Sequence, residues 1–304
     1  MRRLLVFGAG LAAIAALAAF ILSAPRMIAS DTIPTGDGDP VAGATLFHAG
    51  GCSSCHAPAD ATTDDERLQM AGGLALKTEF GTFIVPNISP SEVSGIGGWS
   101  NADFVNAMAR GVSPDGRHYY PSFPYTSYQR MTVNDLIDLK AYMDTLPAVE
   151  SEGGRHDLGF PYSVRRGLGL WKRLYLDGVA FEPDGDQSAA WNRGAYLVEG
   201  PGHCAECHTP RDGLGGLDRN RWMAGAPYPG GDGRVPNITP HRDGVGNWTD
   251  ADIAYSLESG FTPDFDSLGG SMAAVVRNTA RLTPDDRAAM ATYLRSLAPL
   301  ANDE

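Results

Sequence analysis

The sequence predicts a mainly α-helical chain in which two copies of one small domain follow an N-terminal transmembrane helix. Three observations support this prediction: a long apolar run near the start, blocks that recur in the same order, and capping signals before helical apolar periods. Alternating strand patterns are scarce. We divide the 304 residues into an anchor (1–25), a linker (26–38), a first domain (39–149), an interdomain linker (150–187) and a second domain (188–304).

The N-terminal segment predicts export. An uncharged run from Leu4 to Ala24 is about 30 Å long as a helix, enough to cross the hydrocarbon core of a bilayer. A cleaved signal peptide is the competing interpretation, but the run is longer than a usual signal core, and Pro25 stands where cleavage needs a permissive residue. Arg2 and Arg3 keep the N-terminus in the cytoplasm. We therefore expect an uncleaved anchor with the remaining chain outside the cytoplasm.

The rest of the chain repeats itself. The segment "DPVAGATLFHAGGCSSCHAP" recurs as "SAAWNRGAYLVEGPGHCAECHTP", and "VPNISPSEVSGIGGWSNADFVNAMARGVSPD" recurs as "VPNITPHRDGVGNWTDADIAYSLESGFTPD". A third block, "RMTVNDLIDLKAYMDTLPAV", recurs as "RLTPDDRAAMATYLRSLAPL". Three matched blocks in one order indicate a duplicated domain.

Capping patterns predict where the helices begin. Asp39 and Pro40 supply an N-cap and a first-turn proline before the first repeated block. Four further helices are predicted by S/T-x-x-D pairs at Ser100/Asp103, Thr132/Asp135, Thr249/Asp252 and Thr283/Asp286. The loops between them are long and rich in Gly and Pro. Because so little regular structure makes a small core, we expect a large buried cofactor in each domain.

The charge balance excludes one class of partner. The chain carries 24 Lys and Arg against 36 Asp and Glu, a formal net charge of −12. Binding to nucleic acid needs a basic surface that releases counterions, so we expect no nucleic-acid partner. We interpret the acidic surface as a source of solubility rather than of steering toward a basic partner.

All cysteines lie in two copies of C-x-x-C-H. The motifs are Cys52, Cys55 and His56, and Cys204, Cys207 and His208. On a helical turn, residues i and i+3 share a face, so both thiols can reach the two vinyl groups of one porphyrin while the histidine turns to the iron. This pattern is typical of c-type haem attachment. The alternatives fit less well. A zinc site needs four ligands, and a thioredoxin-like redox pair needs a βαβ setting. A disulfide within C-x-x-C closes so small a loop that it would stabilise the chain little. We therefore expect two covalently bound haems.

Several stretches carry a resemblance to a known family: "GIGGW", "GVSPDGRHYYPSFPYTSY", "GHCAECHTPR" and "GGSMAAVVRNTARLT". From Gly43 to the C-terminus the chain resembles the cytochrome c subunits of bacterial periplasmic alcohol and gluconate dehydrogenases. The resemblance implies two tandem class I cytochrome c domains, placed in the periplasm and anchored in the bacterial inner membrane. Members commonly carry three haems, whereas this chain has two motifs.

The resemblance also implies sixth ligands for the iron. Class I cytochromes c usually present a methionine before the last helix, where this chain has Met272, and methionine raises the potential. At the first haem relatives often read "YPAMPY", but here Phe123 of "YPSFPY" cannot bind iron. His118 is our favoured candidate at the first haem, and Met131, Met108 and an open iron are the alternatives.

Other residues are expected near the haems. Pro86 and Pro236, in the two "VPNI" motifs, resemble the proline whose carbonyl accepts the Nδ1–H of the iron-bound histidine; a rigid turn is the alternative. Trp99 and Trp248 recur at matching places and are interpreted as core residues, with bonds to haem propionates as the alternative. We expect His241 in a surface loop.

The interdomain linker contains a basic cluster in an otherwise acidic chain. Its members are Arg165, Arg166, Lys172 and Arg173. We expect these side chains to neutralise haem propionates at the domain interface, or to lie against anionic lipid headgroups near the anchor. A solvated linker helix is the alternative.

The favoured function is electron transfer from a periplasmic dehydrogenase to an oxidase, a quinone site or a soluble cytochrome. The sequence has no G-x-G-x-x-G loop and no hydrolytic triad signature, so we expect substrate oxidation in a partner. The alternative is a dihaem enzyme, either peroxidase-like or oxidising a small sulfur anion, with chemistry at the first haem. Its support is the loss of the expected methionine at Phe123.

Overall fold

The computed structural model describes residues 2–151, 153–228, 231 and 233–302. The remaining positions, together with the side chain of Arg2, lie outside the described residues; they include the first residue of the predicted anchor and the last two of the predicted second domain. The described chain is mainly helical, with two domains of the same architecture after an N-terminal apolar helix, so the predicted fold class is confirmed. The domain boundaries stay a prediction.

The N-terminal helix α1 spans Arg2–Leu22. Its stretch Arg3–Leu22 has a mean hydropathy of 2.5, and none of it is buried inside the protein. Among the described residues it is the one helix long and apolar enough to cross a membrane.

The first domain consists of short helices around a small sheet. Its helices are α2 (Pro40–Ala49), α3 (Ser53–His56), α4 (Asp64–Arg67), α5 (Asn101–Arg110), α6 (Tyr125–Tyr128) and α7 (Val133–Met143). Strands β1 (Ala75–Thr78), β2 (Gly81–Ile84) and β3 (Asp157–Leu158) form an antiparallel sheet in that order. The linker helix α8 (Leu168–Tyr175) leads to the second domain.

The second domain repeats this plan. Its helices are α9 (Ala189–Glu199), α10 (Ala205–His208), α11 (Asp250–Ser259), α12 (Ser271–Thr279) and α13 (Pro284–Ser296). Strands β4 (Ala226–Pro227) and β5 (Arg234–Val235) form an antiparallel pair.

Polar side chains begin the main helices where the sequence predicts them. The Asp39 carboxylate caps α2. Reciprocal capping boxes begin α5, through Ser100 and Asp103, and α11, through Thr249 and Asp252. Threonine caps begin α7 and α13. Each cap satisfies a backbone N–H that has no partner inside its helix.

In each domain the first helix crosses the last helix at a glycine. A Cβ atom added at Gly43 of α2 would lie 1.9 Å from the Asp138 carbonyl oxygen of α7. A Cβ atom added at Gly194 of α9 would lie 1.9 Å from the Ala289 carbonyl oxygen of α13. Because no side chain fits there, glycine permits the close approach of the two backbones around which each core is built.

Helix α8 contacts both domains. Lys172 Nζ donates hydrogen bonds to the carbonyl oxygens of Arg110, at 2.8 Å, and Gly111, at 2.6 Å, where α5 ends. Trp171 Nε1 donates to the Leu214 carbonyl oxygen of the second domain at 2.9 Å. Lys172 is only 7% exposed, so the alternative of a solvated linker helix is wrong for this residue.

Helix α8 and the turn directly before it, Arg165–Gly167, hold the end of α1. Arg166 donates to Ser23 Oγ at 2.9 Å and to the Phe20 carbonyl oxygen at 2.8 Å, and Arg173 donates to the Leu22 carbonyl oxygen at 3.0 Å. The last carbonyls of a helix lack partners within it, and cations are favoured at its C-terminus. Two members of the basic cluster therefore cap the predicted membrane helix.

The buried Lys172 amine makes stability depend on pH. Burial lowers the pKa of Lys172 from 10.5 to about 7. Between these values the unfolded chain binds more protons than the folded chain, so stability rises as the pH increases. We expect the thermal midpoint of the protein, relative to that of a Lys172→Met variant, to increase from about pH 7 to about pH 10. Lys77→Met, at an exposed lysine, is the control, and a difference that stays constant or falls for Lys172→Met contradicts the prediction.

Candidate haem sites

The first C-x-x-C-H motif forms one helical turn. Cys52 is the N-cap of α3, and the His56 N–H donates to its carbonyl oxygen at 3.0 Å. The turn brings Cys55 and His56 to the face of the chain that carries Cys52. His56 Nδ1 lies 2.9 Å from the Pro86 carbonyl oxygen. Because a carbonyl can only accept, Nδ1 carries the proton, and the lone pair available to a metal is on Nε2.

The second motif has the same geometry. The His208 N–H donates to the carbonyl oxygen of Cys204, the N-cap of α10, at 3.0 Å. His208 Nδ1 donates to the Pro236 carbonyl oxygen at 2.7 Å, which again leaves the lone pair on Nε2. In both domains a "VPNI" proline therefore fixes the orientation and tautomer of the motif histidine.

The donor set of each motif fits a c-type haem. None of the four cysteines is in a disulfide, so each thiol is available for a thioether bond. Burial raises the pKa of the Cys52 and Cys204 thiols to about 12. Burial lowers the pKa of His56 to about 4 and also lowers the pKa of His208. Both imidazoles are therefore neutral near pH 7, as a metal ligand must be. Two adjacent thiols and one oriented, neutral imidazole are the groups that bind haem c.

The two motifs lie against each other across the domain interface. His203 Nε2 donates to the Gly50 carbonyl oxygen at 3.2 Å. A Cβ atom added at Gly50 would lie 3.5 Å from the Pro201 carbonyl oxygen. Burial and, to a smaller extent, the charge of Cys207 raise the pKa of Cys55. The two candidate attachment sites are therefore neighbours.

Glu206, inside the second motif, joins the two domains. Its carboxylate accepts hydrogen bonds from the hydroxyls of Thr126 and Ser127 in α6 of the first domain, the second at 3.2 Å. Arg211 donates to the same carboxylate at 2.7 Å. The Glu206 side chain is 8% exposed, and these donors satisfy the charge that burial would otherwise penalise.

A corresponding contact exists at the first motif. Ser54 stands in that motif where Glu206 stands in the other, and its Oγ accepts from Asn278 Nδ2 of α12 at 3.1 Å. Ser53 Oγ donates to Asn278 Oδ1 at 3.2 Å. Each motif therefore bonds a helix of the other domain, and the interface has approximate twofold character.

We expect Glu206→Ala to loosen this interface. The substitution leaves the Thr126 and Ser127 hydroxyls and the Arg211 guanidinium without this partner, which costs about 2 kcal/mol for bonds to a charged group. Amide hydrogen exchange of residues 125–128 should become faster. Glu206→Gln, which keeps an acceptor oxygen, is the control and should show a smaller change. An unchanged rate of amide hydrogen exchange in Glu206→Ala would contradict the role of Glu206 at the interface.

Met272 and Phe123 occupy corresponding positions. An isolated bridge pairs Val112 with His118 in the first domain, and another pairs Phe261 with Ser267 in the second. Phe123 follows the first bridge, and Met272 follows the second, at the same sequence distance.

Each of these two side chains packs against the same core as a motif cysteine. Met272 and Cys204 both pack against the core of the second domain. Phe123 and Cys52 both pack against the core of the first. Met272 is the second residue of α12. The helix begins directly after Gly270, whose φ of 57° lies in the left-handed region that favours glycine. The duplicated fold thus presents a thioether in one domain and a phenyl ring in the other.

The candidates for the first haem are in different surroundings. His118 Nε2 donates to the Ser23 carbonyl oxygen at 2.9 Å, and its buried Nδ1 has no hydrogen-bond partner. As an iron ligand it would have to use Nδ1. Arg165 donates to the His118 carbonyl oxygen at 3.1 Å. Met131 and Met108 are buried in the first core.

The remaining predicted residues have structural contacts. Trp99 packs against the first core and Trp248 against the second, both partly buried. His241 lies in a loop, where its Nδ1 accepts from the Asp243 N–H at 3.2 Å. Sequence reasoning missed Glu206 and His203, because nothing near them in the chain marks their partners in the other domain.

Comparison with known proteins decides the family. The sequence model of cytochrome c matches residues 40–147 and again residues 192–298. The chain belongs to the cytochrome c family. This cytochrome is 50% identical over 295 residues to a "Diheme cytochrome c-type" protein of Cereibacter sphaeroides, an alignment that covers 97% of the chain and 98% of the relative. It carries two covalently bound haem c groups, as predicted.

Dehydrogenase subunits are also similar. The cytochrome is 36% identical over 256 residues to the fructose dehydrogenase cytochrome subunit of Gluconobacter japonicus, covering 83% of the chain and 51% of the relative. It is 35% identical over 267 residues to the cytochrome c subunit of alcohol dehydrogenase (quinone) of Gluconacetobacter polyoxogenes, an alignment that covers 85% of the chain and 56% of the relative. The chain therefore spans about half the length of these subunits. The predicted family resemblance is confirmed, and this relationship implies electron transfer.

Proposed function

We propose that this cytochrome takes electrons from a periplasmic dehydrogenase and delivers them to the respiratory chain at the membrane. The acceptor is an oxidase, a quinone site or a soluble cytochrome. The observation that carries the proposal is that the two C-x-x-C-H motifs meet at the domain interface. His203, beside the second motif, bonds Gly50, beside the first, and each motif bonds a helix of the other domain. When bound, haem c supplies one-electron redox chemistry. Adjacent attachment sites suit a relay more than two independent centres.

We assign the haem-binding residues from the geometry of the motifs. The proposed thioether residues are Cys52 and Cys55 for the first haem, and Cys204 and Cys207 for the second. His56 and His208 are the proposed iron ligands, since the Pro86 and Pro236 carbonyls leave Nε2 of each free. The hydrogen bond at Nδ1 also strengthens the imidazole as a donor.

The sixth ligands are proposed to differ between the domains. Met272 binds the second iron, whereas the first domain has Phe123 at the corresponding position. For the first iron the candidate ligands are still His118, which would bind through Nδ1, and the core methionines Met131 and Met108. Because methionine raises the haem potential, the second haem should have the higher potential if His118 binds the first iron.

We propose that α1 stays attached and anchors the protein in the bacterial inner membrane, with the haem domains in the periplasm. Ser23 supports this proposal because it is 3% exposed and bonded through its backbone and side chain. Cleavage that removes α1 and Ser23 would leave His118 and Arg166 without these partners.

The proposal can be tested in the native membrane. We expect membranes from a strain lacking this cytochrome to lose oxygen uptake with at least one substrate from a panel of alcohols, aldehydes, sugars and sugar acids. Adding back the full-length, haem-loaded protein should restore it. The dehydrogenase relatives motivate the panel. Unchanged uptake with every substrate would overturn the proposed donor.

A redox titration of the purified protein separates the carrier from the enzyme alternative. A carrier should show two reversible one-electron transitions, a methionine charge-transfer band from one haem, and no consumption of peroxide. Carbon monoxide binding to half of the haem, together with peroxide turnover, would favour a dihaem enzyme with an open iron beside Phe123.

A further inference from the structure

We propose that one face of α8 lies on the membrane surface, beside the point where α1 leaves the bilayer. The face consists of Leu170, Arg173 and Leu174 of α8, together with Arg166 of the turn directly before it, and is called the interfacial face. The proposed occupant is the headgroup region of an anionic bilayer. The inference rests on the proposal above that α1 spans the membrane.

The interfacial face is continuous with the end of α1. Leu170 and Leu174 are four residues apart in α8, which places them on one side of the helix. Arg166 lies in the 3-10 turn Arg165–Gly167, which directly precedes α8. Arg166 and Arg173 bond the last backbone carbonyls of α1, and Arg166 also bonds Ser23, directly after the helix. The two leucines therefore lie on the side of α8 that adjoins the membrane helix.

Close backbone contact fixes the depth of α8. A Cβ atom added at Gly169 would lie 2.1 Å from the Ser23 carbonyl oxygen, so α8 touches the end of α1 directly. The helix α1 is 21 residues long, about 30 Å, which matches the hydrocarbon core of a bilayer. Its last turn must then lie at the boundary between hydrocarbon and headgroups. Side chains within hydrogen-bond distance of that turn lie at the same level.

The side chains of the interfacial face suit the boundary between hydrocarbon and headgroups. Leu170 is 40% exposed and Leu174 is 66% exposed, and outside α1 Leu214 is the one other exposed leucine among the described residues. Exposed leucines next to arginines are typical of helices that lie in the membrane interface. Apart from Lys172, which is buried on the opposite face, residues 165–173 contain the basic side chains Arg165, Arg166 and Arg173 and no acidic one, in a chain of net charge −12. Anionic headgroups attract such a segment, whereas the rest of the surface repels them.

The same segment supplies further apolar side chains. In the loop before α8, Phe160, Tyr162 and Val164 are all exposed. The opposite face of α8 is occupied by the protein, because Lys172 bonds the end of α5 and Tyr175 donates to Asp212 at 2.8 Å. Helix α8 therefore fixes both haem domains relative to the bilayer.

Photocrosslinking of the full-length, haem-loaded protein in its native membranes tests the inference. The residue p-benzoylphenylalanine replaces Leu174, or Phe265 as the control, which is 93% exposed in a loop of the second domain. We expect lipid adducts, detected by mass spectrometry, on the order of tenfold more abundant at position 174 than at position 265, as insertion of an interfacial helix requires.

Other outcomes overturn the inference. Equal lipid adducts at positions 174 and 265, or a protein adduct at 174, would assign the face to solvent or to a partner protein. The same probe at Ile14, in the middle of α1, separates this failure from that of the anchor. Lipid adducts at 14 without any at 174 overturn the interfacial face alone, and their absence at both positions overturns the membrane anchor as well.

Discussion

A Met272→Phe variant should lose the methionine charge-transfer band and show a second-haem potential lower by on the order of 0.1 V, within the ~0.8 V range that axial ligands span. The substitution gives the second domain the residue that the first domain has at Phe123. The reason is that a phenyl ring cannot donate to iron, whereas the thioether stabilises the reduced state. Visible spectra during a redox titration measure both effects.

The reverse substitution makes the test symmetrical. Phe123→Met should add a second methionine charge-transfer band and raise the potential of the first haem, since the two positions correspond in the duplicated fold. Met290→Leu is the control, because this methionine is buried in the second core and is not a proposed ligand. If Met272→Phe leaves the intensity of the methionine band and the potential of the second haem unchanged, or Met290→Leu lowers them, Met272 is not the ligand.

Replacing either crossing glycine should cause the largest loss of stability. An added Cβ at Gly43 or at Gly194 would lie 1.9 Å from a backbone carbonyl oxygen of the partner helix, far inside contact distance. The helices must separate, and overpacking of this kind costs about 3 kcal/mol. Alanine favours a helix over glycine by only ~1 kcal/mol, which is less than the cost of the clash, so the net effect is a loss of stability. Thermal unfolding of Gly43→Ala and Gly194→Ala, followed by circular dichroism, measures the loss.

The matched control is Gly36→Ala. An added Cβ at Gly36 meets nothing within 4 Å, so its unfolding midpoint should equal that of the unchanged protein. Equal midpoints for Gly43→Ala and Gly36→Ala would mean that α2 and α7 can separate without cost, and that the crossing does not organise the core.

Much of the fold and of each haem site was predictable because the responsible interactions are local. The cap at Ser100 and its partner Asp103 are three residues apart, and the motif from Cys52 to His56 is a single turn. A pattern of this length is complete in the sequence, so it can be recognised without knowledge of the rest of the chain. Because the domain is duplicated, each local prediction applied to both copies.

The interface between the domains was not predictable. Glu206 and Thr126 are separated by 80 residues, and His203 and Gly50 by 153. A glutamate inside C-x-x-C-H is equally compatible with solvent and with a partner. Its partner depends on how two independently built domains dock, and no local pattern contains that information.

The sequence by itself determined the apolar helix, the duplicated helical domain, the two haems and the absence of methionine at Phe123. The tertiary structure alone decided that the motifs meet and that α8 holds the end of α1. The physical reason is the nature of the acceptors. Arg166 and Arg173 bond backbone carbonyls, and His203 does the same. Every residue has a carbonyl, so only the packed chain selects which one a side chain reaches.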